Sequence, residues 1–269
     1  MRRILLLATA IILAACASSG GGFNPTTPAY KINTEALKKH PIRKVVIASA
    51  NISGEPTRYY LRNAAVHVDE LVKRYLEKHG ITVVPNYVFD NGWDQAIRTY
   101  GNMYDPTTGK VDPTTYRAVM LTAFKAVKDT SDVDAVVFTD VIESQTSQNI
   151  GLDHLAQWDG VSRKPAMANA GIQGVTDDFN WNEPVRVATL VVTIYSTSLQ
   201  GLFSSRGGLD VLDAINTKGD AGFKRRKHPL DSDDNIEEGI AIAFHPLIKM
   251  PDYPGKDQPV NEDQPENKD

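Results

Sequence analysis

Only one cysteine, Cys16, occurs in 269 residues, so the chain can form no internal disulfide and no multi-cysteine zinc site. Positive charge is also in short supply. Lys and Arg number 29 against 33 Asp and Glu, a net charge of −4. A surface of that sign does not suit a phosphate backbone, which excludes nucleic acid as an expected partner. No apolar run is long enough to span a bilayer. Residues 4–13 would rise about 15 Å as a helix, half of a hydrocarbon core that needs about 20 residues. The motifs of several enzyme classes are absent as well. There is no His-Glu-x-x-His, no Gly-x-x-x-x-Gly-Lys-Ser/Thr and no Gly-x-Ser-x-Gly. No cofactor and no catalytic residue is therefore assigned from motifs.

What the chain does have begins at its N-terminus. Arg2 and Arg3 precede the apolar stretch 4–13, and small residues Ala14 and Ala15 follow. A positive start, a short apolar segment and small residues at a cut site describe a secretory signal. The run Leu13-Ala14-Ala15-Cys16 resembles the lipobox of bacterial lipoproteins. That resemblance implies cleavage after residue 15 and acylation of the Cys16 thiol. Cys16 then anchors the chain to a membrane through acyl chains, since two or three chains hold stably where one does not. Ala17 stands where Asp favours inner-membrane retention in enterobacterial lipoproteins, so the resemblance implies the outer membrane, periplasmic face. Loss of residues 1–15 removes Arg2 and Arg3 and takes the net charge from −4 to −6. An ordinary signal peptide cut at Ala15-Cys16-Ala17 is the alternative.

Composition divides the remainder. Residues 16–41 open with Ser, Gly and Pro and read as a lipidated flexible tether. Residues 250–269 are acidic and Pro-rich, too poor in apolar side chains to offset ordering entropy, and are expected to be disordered. Residues 42–249 are expected to form one α/β domain. Residues 44–52 predict a buried strand. Leu61, Ala64, Ala65, Val68, Leu71, Val72, Tyr75 and Leu76 recur at helical spacing, with Thr57 as expected N-cap and Gly80 as the stop. Residues 81–84 predict a second strand, and 90–100 a short helix. Asp112-Pro113 reads as N-cap and first position of another helix, and 133–142 as a central strand. Strand signals then cluster at 155–162, 185–196 and 202–206. A capping box at Asp234 to Glu237 opens a last helix that ends near Phe244 because of Pro246. The order is β-α-β-α-β, then antiparallel strands, then a helix, so a mixed sheet with helices packed on it is predicted.

The lipobox, Val45-Val46-Ile47-Ala48, the helix ending at Gly80 and the strand pair 190–195 and 201–208 (Leu-Val-Val-Thr-Ile-Tyr, Gly-Leu-Phe-Ser-Ser-Arg-Gly-Gly) together resemble a group of periplasm-facing outer-membrane lipoproteins. The group includes the curli secretion channel lipoprotein, the Pel polysaccharide lipoprotein and domains like the N-terminal part of TolB. It implies assembly, export or scaffolding through contacts with envelope proteins, homo-oligomers included, and it does not imply catalysis. The alternating amphipathic strand pair of a membrane barrel is not evident here.

Other candidate residues read mostly as structural. The histidines (40, 67, 79, 154, 228 and 245) are not paired in sequence, and His67 and His79 are expected as packing or helix-dipole partners. The carboxylates of 231–238 lack the glycine and glutamate of a calcium loop and read as a turn with an N-cap, so no metal is expected. Asp177 and Asp178 read as loop. The basic run 223–228 reads as a solvated loop, with contact to anionic head groups or an acidic glycan as its functional alternative. Trp93, Trp158 and Trp181 are expected in the core or a subunit contact; a sugar platform is the alternative. A lipid-anchored hydrolase or a glycan or small-molecule receptor remains the alternative overall.

Overall fold

The computed structural model describes residues 28–254, apart from 50–51, 53–58, 106–109, 150–153, 169–174, 176–178 and 218–220. Along the chain it runs β1 (Lys31–Ile32), α1 (Thr34–Lys39), β2 (Lys44–Ala48), a 3₁₀ turn at Tyr59–Leu61, α2 (Arg62–Lys78), β3 (Thr82–Val84), α3 (Tyr87–Tyr100) and α4 (Pro113–Thr130). Then come β4 (Ala135–Thr146), β5 (Ala156–Trp158), β6 (Val161–Arg163), β7 (Ala166–Met167), β8 (Val185–Ser196), β9 (Gly201–Val211), β10 (Asp213–Asn216), β11 (Gly222–Arg225) and α5 (Asp233–Phe244). The signal segment 1–15, Cys16, residues 17–27 and the tail 255–269 lie outside the described residues.

Six strands form one mixed sheet in the order β1-β9-β8-β4-β2-β3. β3, β2 and β4 are mutually parallel, and β4, β8, β9 and β1 alternate in direction. From β2 the chain crosses through α2 to β3 on one side, then through α3 and α4 to β4 on the other. Right-handed crossovers in opposite directions deliver their helices to opposite faces. Packing follows that rule. Val68, Leu71, Val72 and Leu76 of α2 share a core with Val45, Val137 and the α5 side chains Ile236, Ile240 and Phe244. Phe89 of α3 and Phe124 of α4 pack on Val46, Val136 and Phe138 of the opposite face. The chain is an α/β protein with a mixed sheet and helices packed on it.

Local chemistry sets several boundaries where the sequence places them. Asp112 accepts the Thr115 N–H at 2.9 Å and Pro113 opens α4. At the end of α2, Gly80 takes φ +81 while the Gly80 and Ile81 N–H groups close on Glu77 and Leu76 carbonyls, a Schellman stop. β8 spans Val185–Ser196 as its β-branched run predicts.

Several boundaries differ. β2 stops at Ala48, short of Ile52. The cap of α5 is Ser232, whose hydroxyl accepts the Asn235 N–H at 3.3 Å, two residues before the expected Asp234. Part of the segment read as tether is folded: β1 pairs with β9, Tyr30 and Ala36 are buried, and Asn33 caps α1. At the other end Met250 and Tyr253 pack on a small cluster with Val185, Val187 and Ile242. The expected cap Thr57 lies outside the described residues, and α2 is entered through a 3₁₀ turn whose last residue, Leu61, is buried.

The approach of α5 to β9 is set by glycine. A Cβ on Gly207 would stand 2.0 Å from the Gly239 carbonyl, and one on Gly239 would stand 2.3 Å from the Gly208 carbonyl. Only hydrogen at these positions lets helix and strand backbones meet.

Candidate functional site

In a sheet where crossovers leave a central strand in opposite directions, ligand crevices open at the carboxyl ends of the strands. β2 and β4 make that switch here. Their pairing ends at Ala48 and Phe138, and β4 runs on through Thr139 and Asp140. Beside this end three carboxylates arrive from three elements: Asp69 from α2, Asp90 from α3 and Asp140 from β4.

Each is fixed by neutral donors. Thr139 Oγ1 donates to Asp69 Oδ1 at 2.5 Å. Ser49 donates to Asp90 through its hydroxyl at 2.9 Å and its N–H at 3.3 Å, and Asn86 Nδ2 donates to Ser49 Oγ at 3.2 Å. The Ile52 N–H reaches Asp140 Oδ2 at 3.3 Å. A cavity of about 320 Å³ opens beside them, with Val66, Asp69, Lys73, Val84 and Asn86 in its lining.

Burial lifts the Asp69 carboxyl from its ordinary 3.8 to about 7; the Thr139 hydrogen bond opposes the shift, and the charges of Asp140 and Asp90 add to it. Asp90 is also raised by burial, against its Ser49 hydrogen bonds and with Asp94 adding to the rise. The crevice thus holds a carboxyl that exchanges a proton near neutrality beside other acidic groups. Such a group can bind a cationic side chain or pass a proton. Among the described residues no group of three or more His, Asp or Glu side chains is placed to hold a metal ion.

The residues singled out from sequence fall elsewhere. Cys16 lies outside the described residues, as do Asp177 and Asp178. His67 Nε2 meets Asp233 Oδ1 at 2.6 Å, tying α2 to the start of α5. His79 caps α2, its ring 4.4 Å from that of Tyr75. Trp158 is buried and donates its indole N–H to the Ala188 carbonyl at 3.1 Å. That makes it a core residue and removes it as a sugar platform. Trp93 stacks on Phe89, and Trp181 stacks on His154 with ring centroids 3.7 Å apart.

Internal partners take up much of the basic run. Arg226 pairs with Asp210 and Asp231, each at 2.6 Å, and Arg225 lies over the Tyr60 ring at 4.1 Å. Lys224, Lys227 and His228 remain exposed. The carboxylates of 231–238 act as helix-start and ion-pair groups: Asp231 with Arg226, Asp233 with His67, and Glu238 with Arg163 at 2.7 Å.

Sequence reading missed the crevice. Asp69 sat on the polar side of a helical repeat, and Thr139 and Asp140 sat inside an apolar strand. A polar pair within a central-strand run was the available signal, because a buried strand keeps polar groups only where they find partners. No protein-family model matches the chain, and neither a curated protein nor a solved structure is detectably similar to it. No helix among the described residues is long and apolar enough to cross a membrane.

Proposed function

We propose that the chain is a lipid-anchored lipoprotein of the outer membrane, facing the periplasm. Its α/β domain acts in envelope assembly or export by contacts with other envelope proteins, copies of itself included, without catalysis. The observation that carries this reading is Leu13-Ala14-Ala15-Cys16 behind Arg2, Arg3 and the apolar run 4–13. Support for protein contacts comes from large apolar side chains left exposed on the outer helices: Val66 on α2, Tyr87 and Tyr100 on α3 and Leu121 on α4. Val66 also lines the acidic crevice.

A clickable fatty acid fed to cells tests the anchor. Wild type incorporates the label and Cys16→Ser does not. An unmodified thiol, or a mature start downstream of Cys16, by mass spectrometry of the native protein overturns it. Crosslinking in intact cells tests the partner half. Recovery of monomer alone, with no envelope protein attached, counts against it.

One observation favours the second reading, a lipid-anchored hydrolase. Asp69, with its carboxyl near 7 and Asp90 and Asp140 close by, has the character of a general acid. Release of reducing ends from isolated envelope polymers, abolished by Asp69→Asn, would establish that reading in place of the first.

A further inference from the structure

The first described segment after the expected anchor is basic, although the protein is acidic. From Lys31 to Lys44 there are five Lys and Arg against one Glu, while the whole chain carries −4. Lys31, Lys38, Lys39, His40 and Arg43 are exposed. Lys39, His40 and Arg43 line one recess of about 310 Å³ with Thr197. Nearby acids are largely committed. Asp134 accepts the Arg43 and Lys44 N–H groups, each at 2.9 Å, Asp132 holds Lys44 at 2.6 Å, and Glu35 meets Lys38 at 2.7 Å. Lys31, Lys39 and Arg43 have no ion pair among the described residues. The patch sits on fixed backbone: β1 is paired to β9, and Asn33 caps α1 and donates its N–H to the Leu202 carbonyl at 2.9 Å.

We propose that the basic segment carrying Lys31, Lys38, Lys39 and Arg43 docks on the anionic phospholipid surface in which the lipid anchor is embedded. The idea rests on the anchored reading given above. Two observations converge on this partner. The charge is complementary to phosphate head groups and opposite to that of the rest of the protein. The patch follows the anchor directly, since thirteen residues separate Cys16 from Tyr30. A chain of that length spans at most about 50 Å, which bounds the distance of the patch from the bilayer. Weak attraction suffices at the effective concentration that such a link imposes. The anchor keeps the protein on the membrane; the patch sets which side of the domain faces it.

The test is lysine acetylation of the native lipidated protein in vesicles, read by mass spectrometry. In vesicles with about 30% phosphatidylglycerol, Lys31, Lys38 and Lys39 react at least about three-fold slower than in neutral phosphatidylcholine vesicles, while Lys125 on α4 reacts equally in both. About 0.5 M NaCl abolishes the difference. In the variant Lys31→Glu, Lys39→Glu, Arg43→Glu, Lys38 loses its protection while circular dichroism reports an intact fold. Equal reactivity of the patch lysines in both vesicles overturns the proposal. Equal protection by inorganic phosphate alone in neutral vesicles also overturns it, because the site then binds free anions and not a bilayer. The anchored reading is separated by flotation. Protein that fails to float with neutral vesicles has no anchor, whereas protein that floats with unprotected lysines has an anchor and no docking face.

Discussion

Thr139 on β4 holds Asp69 on α2 through a 2.5 Å hydrogen bond, seventy residues apart in the chain. The contact seats the helix on the carboxyl end of the sheet and places an acid there whose carboxyl is lifted from 3.8 to about 7, mainly by burial. A carboxylic acid buried in this way is a stability term that depends on pH.

Asp69 is expected to destabilise the protein as pH rises. Its folded-state value exceeds the unfolded one, so the folded state holds its proton more tightly. Below about 4 both states are protonated and nothing is lost; between about 4 and 7 only the unfolded state ionises, and stability falls; above about 7 the loss is complete, on the order of 2–4 kcal/mol. Asp69→Asn keeps an acceptor for Thr139 and carries no charge. Urea unfolding should show the variant more stable at pH 8 by about 2 kcal/mol and no different at pH 4. A variant no more stable at pH 8 would mean that Asp69 is not buried as described.

Gly239→Ala is expected to destabilise although alanine favours helices by about 1 kcal/mol. Its Cβ would lie 2.3 Å from the Gly208 carbonyl and 2.8 Å from Leu209, forcing α5 off β9. Overpacking of about 1–3 kcal/mol exceeds the propensity gain. Gly201→Ala, whose nearest neighbour would be Tyr195 at 3.9 Å, is the matched control and should melt within about 2 °C of wild type.

The ion pair between Arg186 and Asp213 is expected to be costly to break. Asp213 is 1% exposed and accepts from the Arg186 side chain at 2.5 and 3.0 Å and from its backbone N–H at 2.8 Å. Asp213→Ala removes these acceptors and leaves the partly buried guanidinium with only the more distant charge of Glu143, a loss of about 3 kcal/mol in denaturant unfolding. A loss under about 1 kcal/mol would show that Arg186 finds solvent instead.

At the start of α5, Ser232→Ala should cost about 1 kcal/mol, since Ser232 accepts the Asn235 N–H. Asp234→Ala should cost less, because it loses only a favourable charge in the first turn. The opposite ranking in thermal melts would return the cap to Asp234.

Elements written by neighbouring residues were legible. Asp112 with Pro113, Gly80 behind Leu76, and the β-branched stretch from Val185 to Ser196 each carry their own signal within a turn or a strand. β1 was not legible, because two residues make a strand only when Phe203 and Ser204 of β9 lie opposite. The use of Gly207, room for α5, and of Gly208, room for Val161 and Trp158, was not legible either, because each needs a segment that lies far off in the chain. The crevice was hidden for the same reason. Asp69, Asp90 and Asp140 look like polar interruptions in three unrelated segments.

The sequence by itself determined the alternation of strand and helix, the mixed α/β class and the expectation of a membrane anchor at Cys16, because these depend on spacing and composition within a few residues. Only the tertiary structure decided which carboxylates meet, which tryptophan is core and why Gly207 and Gly239 must be glycine. Those outcomes depend on side chains brought together across the sheet, and burial, not local order, sets their charge and their partners.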